Sequence, residues 1–237
     1  MRPFGTPAGV QLALLACSFS LAGAGFRVAS LNLDKKSGTE LIAQLGSQPD
    51  IRNSDILLLQ EVVDSPRFHV AGQAGKALGR YAAFAKAFRL EGDTDEGLAV
   101  LSRYPIASRH VVPLERNNLH FRNRIRIALV TEIDAPAGRV EAICIHLDNR
   151  INEREKIRQL DGIWPAVSST DPAILGGDFN TGNFYWVSHI IPVPGAQHQL
   201  EMVLGDCGNM ASRRISSRGL RRTTFPGCGS TGSSYAI

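Results

Sequence analysis

The chain has 237 residues, 43% of them hydrophobic and 20% charged, which excludes a disordered protein and suffices for one domain with a two-sheet core. A net charge of +4 is compatible with an anionic substrate and excludes a polybasic, histone-like binder. No run approaches an internal transmembrane helix in length, and no repeat of fixed period occurs.

The first 24 residues read as an export signal. Arg2 supplies a thin positive region, Val10 to Leu21 is mostly apolar, and Ala22-Gly23-Ala24 offers a small-residue cleavage site before Gly25. The alternative is a buried first strand or helix. Leu14-Leu15-Ala16-Cys17 also resembles a lipoprotein attachment site, a pattern that Leu15 fits poorly. A secreted or periplasmic protein is expected, with anchoring through Cys17 the less favoured variant. Cys144 lies in an apolar run and reads as a buried small hydrophobe. Cys207 and Cys228 are candidates for a disulfide in an oxidising compartment.

Phe26-Arg27-Val28-Ala29-Ser30-Leu31-Asn32-Leu33 predicts a strand that ends in Asn32. Ser37 with Glu40 has the spacing of a capping box, so a helix is expected through about Leu45. Asp55-Ile56-Leu57-Leu58-Leu59-Gln60-Glu61-Val62 predicts a strand buried on both faces, with Glu61 at its end. A carboxylate there needs a cationic partner, either a metal ion or an arginine. A second helix is expected from about Pro66 to Leu78, then a strand from Tyr81 to Phe88. Glu91 to Gly97 reads as a solvated acidic hairpin without EF-hand spacing, and Gly97 to Ile106 as one returning strand.

Arg124 to Ile133 begins with period-2 alternation, Asp134-Ala135-Pro136-Ala137-Gly138 makes a turn, and Arg139 to Leu147 returns as the hairpin partner carrying His146. Asn152 with Glu155 starts a third helix whose stripe is Ile157, Leu160 and Trp164. Ala173-Ile174-Leu175-Gly176-Gly177-Asp178-Phe179-Asn180 is a short buried strand that breaks at two glycines and delivers Asp178 and Asn180. Glycine there allows a sharp turn or a close approach to a ligand.

Four apolar runs therefore end in Asn32, Glu61, His146 and Asp178 with Asn180. Brought to one edge, they form a carboxylate-rich, amide-lined site with an imidazole, a composition suited to metal-assisted hydrolysis of a phosphate ester. Oxygen donors without a compact Cys/His cluster favour magnesium, with manganese the second choice. Two arginine-rich stretches, Arg116 to Arg126 and Arg213 to Arg222, are candidates for contact with a polyanion. A solvated loop and a hairpin face are the commoner explanation.

The motifs Leu31-Asn32, Leu59-Gln60-Glu61-Val62, Gly97-Leu98-Ala99-Val100-Leu101-Ser102-Arg103, His146-Leu147-Asp148 and Gly177-Asp178-Phe179-Asn180 occur in the order seen in the endonuclease/exonuclease/phosphatase superfamily, which the chain resembles from Phe26 to Asn180 and weakly on to Thr224-Phe225-Pro226. The resemblance implies an α/β protein: a four-layer α/β/β/α sandwich of two mixed β-sheets over residues 25–226, followed by an irregular tail at 227–237. It implies a monomeric, divalent-metal-dependent phosphoesterase acting on a nucleic acid, a phospholipid or a sugar phosphate. By the same resemblance Glu61 holds the metal and Asn32 helps orient it. Asp178 aligns or activates water, Asn180 bonds Asp178 or the phosphate, and His146 stabilises developing charge or protonates the leaving oxygen. The departure is late in the chain. Family members carry an Asp-bearing strand and a Ser-Asp-His after the Thr-Phe-Pro region, whereas here a Gly/Ser-rich tail follows Pro226. The expectation is a fold without its last strands and a weak or inactive catalyst, the alternative function being a non-catalytic remnant that binds metal or phosphate. A nucleotide-cyclase reading of Gly176-Gly177-Asp178 is disfavoured by Phe179, where that pattern needs an acid.

Overall fold

The computed structural model describes residues 14–21, 24–117, 124–168, 170–182, 184–195 and 203. In chain order the elements are β1 (Leu14–Leu21), β2 (Ala24–Asn32), α1 (Thr39–Ser47), α2 (Pro49–Asn53), β3 (Ile56–Ser65), β4 (Phe68–His69) and α3 (Val70–Leu78). Then come β5 (Tyr81–Arg89), β6 (Asp95–Ser102), β7 (Ile106–Pro113), β8 (Ile127–Ala135), β9 (Gly138–His146), α4 (Glu153–Asp161), β10 (Ala173–Asp178), β11 (Phe184–Val187) and β12 (Ile191–Pro194). Sheet one runs β1-β2-β3-β6-β5, with β4 on β3, and sheet two runs β10-β9-β8-β7. Both are mixed: β2/β3 and β9/β10 are parallel, and the other pairs within the two sheets are antiparallel.

The period-2 rule builds the layers. Ile56 and Leu58 of β3 point inward and meet Leu129, Val140, Ala142 and Cys144 of sheet two. Leu57 and Leu59 point outward and pack under Leu41 and Leu45 of α1, Ile51 of α2 and Val70 and Ala74 of α3. On the far side, Val130 of β8, Ile143 and Ile145 of β9 and Leu175 of β10 face Leu160 of α4 and Trp164. Three apolar seams separate four layers, so the expected α/β/β/α sandwich is the fold. Burying each β3 leucine contributes roughly 1.5–3 kcal/mol.

Several boundaries differ from the sequence reading. The Ser37/Glu40 capping box does not form; Gly38, at φ 100°, is the N-cap of α1 and no side chain caps it. The Asn152/Glu155 box does form and starts α4. The helix expected from Pro66 starts at Val70, because Phe68 and His69 first pair with Ser65 and Asp64. The run from Gly97 to Ile106 is two strands in different sheets. Pro105 has no N–H to continue the ladder, and the Tyr104 N–H turns back onto Ser102 Oγ at 3.0 Å. The strand expected from Arg124 begins at Ile127. Leu14–Leu21 pairs along β2, in the segment read as the core of an export signal. Cleavage before Gly25 removes β1, so the two readings exclude one another in a mature protein. The late stretches, including Arg213 to Arg222, Cys207, Cys228 and the 227–237 tail, lie outside the described residues.

Candidate functional site

The site lies where the C-terminal ends of β2, β9 and β10 meet the middle of β3. In β3 the register against β6 slips between Leu59 and Val62: Leu59 pairs with Ala99 and Val62 with Gly97. One extra residue on β3 makes a bulge, with Glu61 at φ +51°. Strict alternation would send Glu61 to the helix-covered face beside Leu57 and Leu59. The bulge resets the phase, puts Val62 on that face and frees Glu61 for the site. A left-handed non-glycine residue costs of order 1–3 kcal/mol, so the surrounding structure holds it there. Gly97 opposite must be glycine, since a Cβ would stand 1.9 Å from the Ala85 carbonyl oxygen.

In sheet two the parallel register sets Asp178 beside His146. The glycine before Asp178 serves this pairing rather than a turn or a ligand. Gly177 has φ +144°, and a Cβ there would lie 2.0 Å from the Ile145 carbonyl oxygen. Beyond Asp178, Asn180 takes φ +48° and its N–H donates to Asp178 Oδ1 at 2.9 Å.

Asn32 ties the two sheets together. Its Nδ2 donates to Asp178 Oδ2 at 3.0 Å and to Glu61 Oε1 at 3.4 Å, while its Oδ1 accepts the Asp34 N–H at 2.9 Å. His146 Nε2 lies 3.8 Å from Asp178 Oδ2 and 4.0 Å from Glu61 Oε1. Four of the sequence-predicted residues thus surround one point. Asn180 joins through its backbone, since its side-chain Nδ2 donates to the Leu147 carbonyl at 2.8 Å.

Three further residues, Lys35, Lys156 and Glu96, were not singled out by the sequence reading. Lys35 Nζ ion-pairs with Glu61 Oε2. Lys156 is 1% exposed and its ammonium donates to the carbonyls of Asn180 at 2.8 Å and Ile151 at 3.0 Å. Its signal was available, for it stands one helical turn before buried Leu160. Glu96, read as part of a solvated loop, is 2% exposed and shares a small cleft with Phe88, Arg126 and His146. Arg126 donates to Asp148 Oδ1 at 3.1 Å, and Arg124 Nη1 lies 3.4 Å from Glu96 Oε2. Those contacts give Arg124 and Arg126 structural roles. His189 Nε2 lies 2.8 Å from Glu155 Oε1.

The electrostatics follow from burial and neighbours. Burial and the nearby Arg126 charge push the His146 imidazole down to about 3, so the ring is neutral at neutral pH. Burial works to raise the Glu61 carboxyl, but the hydrogen bond and charge of Lys35 outweigh it and hold it below its usual value. Burial raises Glu96. Burial also pushes Lys156 down to about 8 and the Cys144 thiol up to about 12. Among the described residues no cluster of three or more His, Cys, Asp or Glu forms a metal cage. The donor set nonetheless fits a hard cation of the magnesium type, which takes one or two carboxylates and completes its shell with water and phosphate. An ammonium already seated on Glu61 marks that carboxylate as a cation's place.

A model described as the Endonuclease/Exonuclease/phosphatase family matches residues 28–235. Among solved structures, an endonuclease/exonuclease/phosphatase from Beutenbergia cavernae DSM 12333 superposes with a TM-score of 0.57 at 18% identity, over 78% of this chain and 53% of that one. A family protein from Leptotrichia buccalis C-1013-b gives 0.57 at 16% identity over 76% and 73%. Sphingomyelinase C from Streptomyces griseocarneus gives 0.54 at 17% identity over 76% and 69%. At these identities the likeness shows the fold, and the chain spans about half the length of the Beutenbergia protein. No curated protein matches the sequence significantly.

Proposed function

The chain belongs to the endonuclease/exonuclease/phosphatase family, and from that premise we propose that it is a divalent-metal-dependent phosphoesterase, exported from the cytoplasm, with its chemistry centred on Glu61 and Asp178. The observation that carries this reading is the convergence of Asn32, Glu61, His146 and Asp178 from two sheets, within 4.0 Å of one another along the contacts given above. A composition of two carboxylates, an amide and a neutral imidazole suits in-line attack of water on phosphorus better than acyl or redox chemistry.

Each group has a task. Magnesium held by Glu61, with Asn32 beside it, would neutralise charge on the non-bridging phosphate oxygens. Asp178 keeps its orientation through two donors, Asn32 Nδ2 and the Asn180 N–H, which leaves lone pairs on each carboxylate oxygen to align and deprotonate a water. Neutral His146 donates a hydrogen bond to oxygen charge that develops in the transition state. Asn32 fixes the spacing of the two acids, because its one amide group serves both.

The substrate is a phosphodiester or phosphomonoester, drawn from nucleic acids, phospholipids or sugar phosphates, and such choices are made by loops. A hydrolysis screen over DNA, RNA, a sphingomyelin-containing vesicle and a sugar phosphate, each with and without magnesium, tests the reading. Turnover that depends on magnesium and disappears with Asp178→Asn supports it. A purified, folded chain that hydrolyses none of the four sinks it.

A further inference from the structure

We infer that Lys35 is a resident cation of this site: its ammonium holds the place on Glu61 that a divalent ion takes, leaves when the ion arrives, and then meets the substrate phosphate. The inference rests on the reading of Glu61 as the metal-holding carboxylate, and it adds a substrate-binding residue that the motif set does not contain.

The geometry separates Lys35 from the other cations nearby. Lys35 and Asp34 take consecutive left-handed conformations, φ 57° and φ 50°, so the chain turns back immediately after β2 and delivers the lysine onto β3. The Asp34 N–H on Asn32 Oδ1 and the Lys36 N–H on the Leu33 carbonyl, at 3.0 Å, fix that turn to the site. The Lys35 side chain is 32% exposed and Glu61 16% exposed, so the pair sits at the mouth rather than in the core. Arg126 is engaged by nearly buried Asp148, and Arg124 by nearly buried Glu96; moving either strands a carboxylate in the interior. Lys156 is anchored on two carbonyls inside the protein. Lys35 alone among these four cations is paired with the carboxylate that the metal needs.

Displacement follows from charge. A divalent ion bound at Glu61 cannot share the carboxylate with an ammonium at hydrogen-bond distance, because like charges at about 4 Å repel by several kcal/mol even at a surface-like dielectric. Glu61 is meanwhile left satisfied, since Asn32 Nδ2 stays and the ion replaces the ammonium. A lysine has a long, flexible stem, and its freed head remains beside the cavity mouth. An ammonium there is a point-charge donor suited to a phosphate oxygen. Before the ion arrives, the same lysine holds the Glu61 carboxylate in place.

Calorimetric titration of magnesium chloride into the wild-type chain, Lys35→Met and Lys35→Gln is the first arm, with circular dichroism to establish that each is folded. Both variants are expected to bind magnesium about tenfold more tightly, the loss of one charge-assisted hydrogen bond that the ion must otherwise break. Titration of inorganic phosphate at saturating magnesium is the second, with affinity expected to fall about tenfold in both variants. The third is the rate at which acetic anhydride labels Lys35 in the wild type, expected to rise when magnesium is added. Unchanged magnesium affinity, unchanged phosphate affinity or unchanged labelling each overturns the inference while leaving Glu61 as the metal site. Tighter magnesium binding without faster labelling means that Lys35 merely repels the ion, which also overturns it. No magnesium heat with any of the three proteins overturns the metal reading itself.

Discussion

Each of the two sheets brings one acid to the site, and the two acids are held in opposite ways. Glu61 of sheet one stands on a strained bulge and is answered by a full positive charge, the half-exposed Lys35. Asp178 of sheet two ends a regular strand and is answered by neutral donors, an amide NH2 and a backbone N–H. A neutral donor fixes a carboxylate's orientation without adding a charge to the pair, whereas a cation neutralises it. The contrast matches the proposed roles, in which Glu61 receives a cation and Asp178 orients the attacking water. The lysines repeat it. Lys35 sits in a turn at the mouth, while Lys156 is buried beneath Asn180 and braces the turn that aims Asp178.

The largest expected effect breaks the oriented-base side. Asp178→Asn keeps the shape and removes the proton acceptor, so kcat should fall by about 10²–10⁴ with magnesium affinity little changed. Steady-state hydrolysis and calorimetry on the same sample check both halves, and a parallel loss of metal binding would move Asp178 to the Glu61 side of the comparison.

Glu61→Gln tests the other acid. It should weaken magnesium binding by about tenfold or more, since a hard anionic ligand becomes a neutral one. Folding should be nearly unaffected, because the amide fills the same space and a part-exposed ion pair contributes little. Unchanged magnesium affinity rules Glu61 out as a ligand.

Lys156→Met sharpens the contrast between the lysines through pH. Burial holds the folded-state ammonium at about 8 against an ordinary 10.5. Below about 8 the side chain is charged in both the folded and unfolded chain, and its desolvation opposes folding. As pH rises from about 8 toward 10.5 the folded protein releases this proton while the unfolded chain retains it, so stability rises relative to the variant. Urea midpoints of the two proteins, compared across that window, should diverge in favour of the wild type. A constant difference means that Lys156 does not titrate there.

The smallest effect concerns the edge of sheet one. A chain that begins at Gly25 loses β1, which pairs with β2 alone among the described strands. It should keep a single cooperative unfolding transition and the same magnesium affinity, because no site residue lies on β1. Mass spectrometry of the exported protein decides whether this shortened chain is the natural one: an intact Met1 contradicts cleavage.

Much of the fold was legible in the order of the runs. Buried strands such as Ile56 to Leu59 and Ile143 to Ile145 are apolar on both faces, and the alternating faces of β3 found three helices on one side and a sheet on the other. The Asn152/Glu155 box announced α4 correctly because its two hydrogen bonds are local. The Ser37/Glu40 pattern misled because the chain turns sharply at Asp34 and Lys35 and enters α1 through Gly38 instead. Pairing between distant parts was out of reach of local reading: nothing near Ile106 says that the chain has crossed to the other sheet, and nothing near Glu96 says that a hairpin acid is buried.

By itself the sequence determined which groups were available, Asn32, Glu61, His146, Asp178 and Asn180, and that each follows a run destined for the core, since residue type and hydrophobic pattern are local properties. Tertiary structure alone decided where each group sits and what it touches. Whether Glu61 faces helix or site depends on a one-residue slip against β6, which is a relation between strands and leaves no mark on periodicity within β3. Whether Lys35 or Lys156 touches the site depends on backbone turned by left-handed residues and on a helix docked by its apolar stripe. Charge acts through distance: that between residues 35 and 61 exists only once β2 has paired with β3, and that between 156 and 180 only once α4 has docked on sheet two.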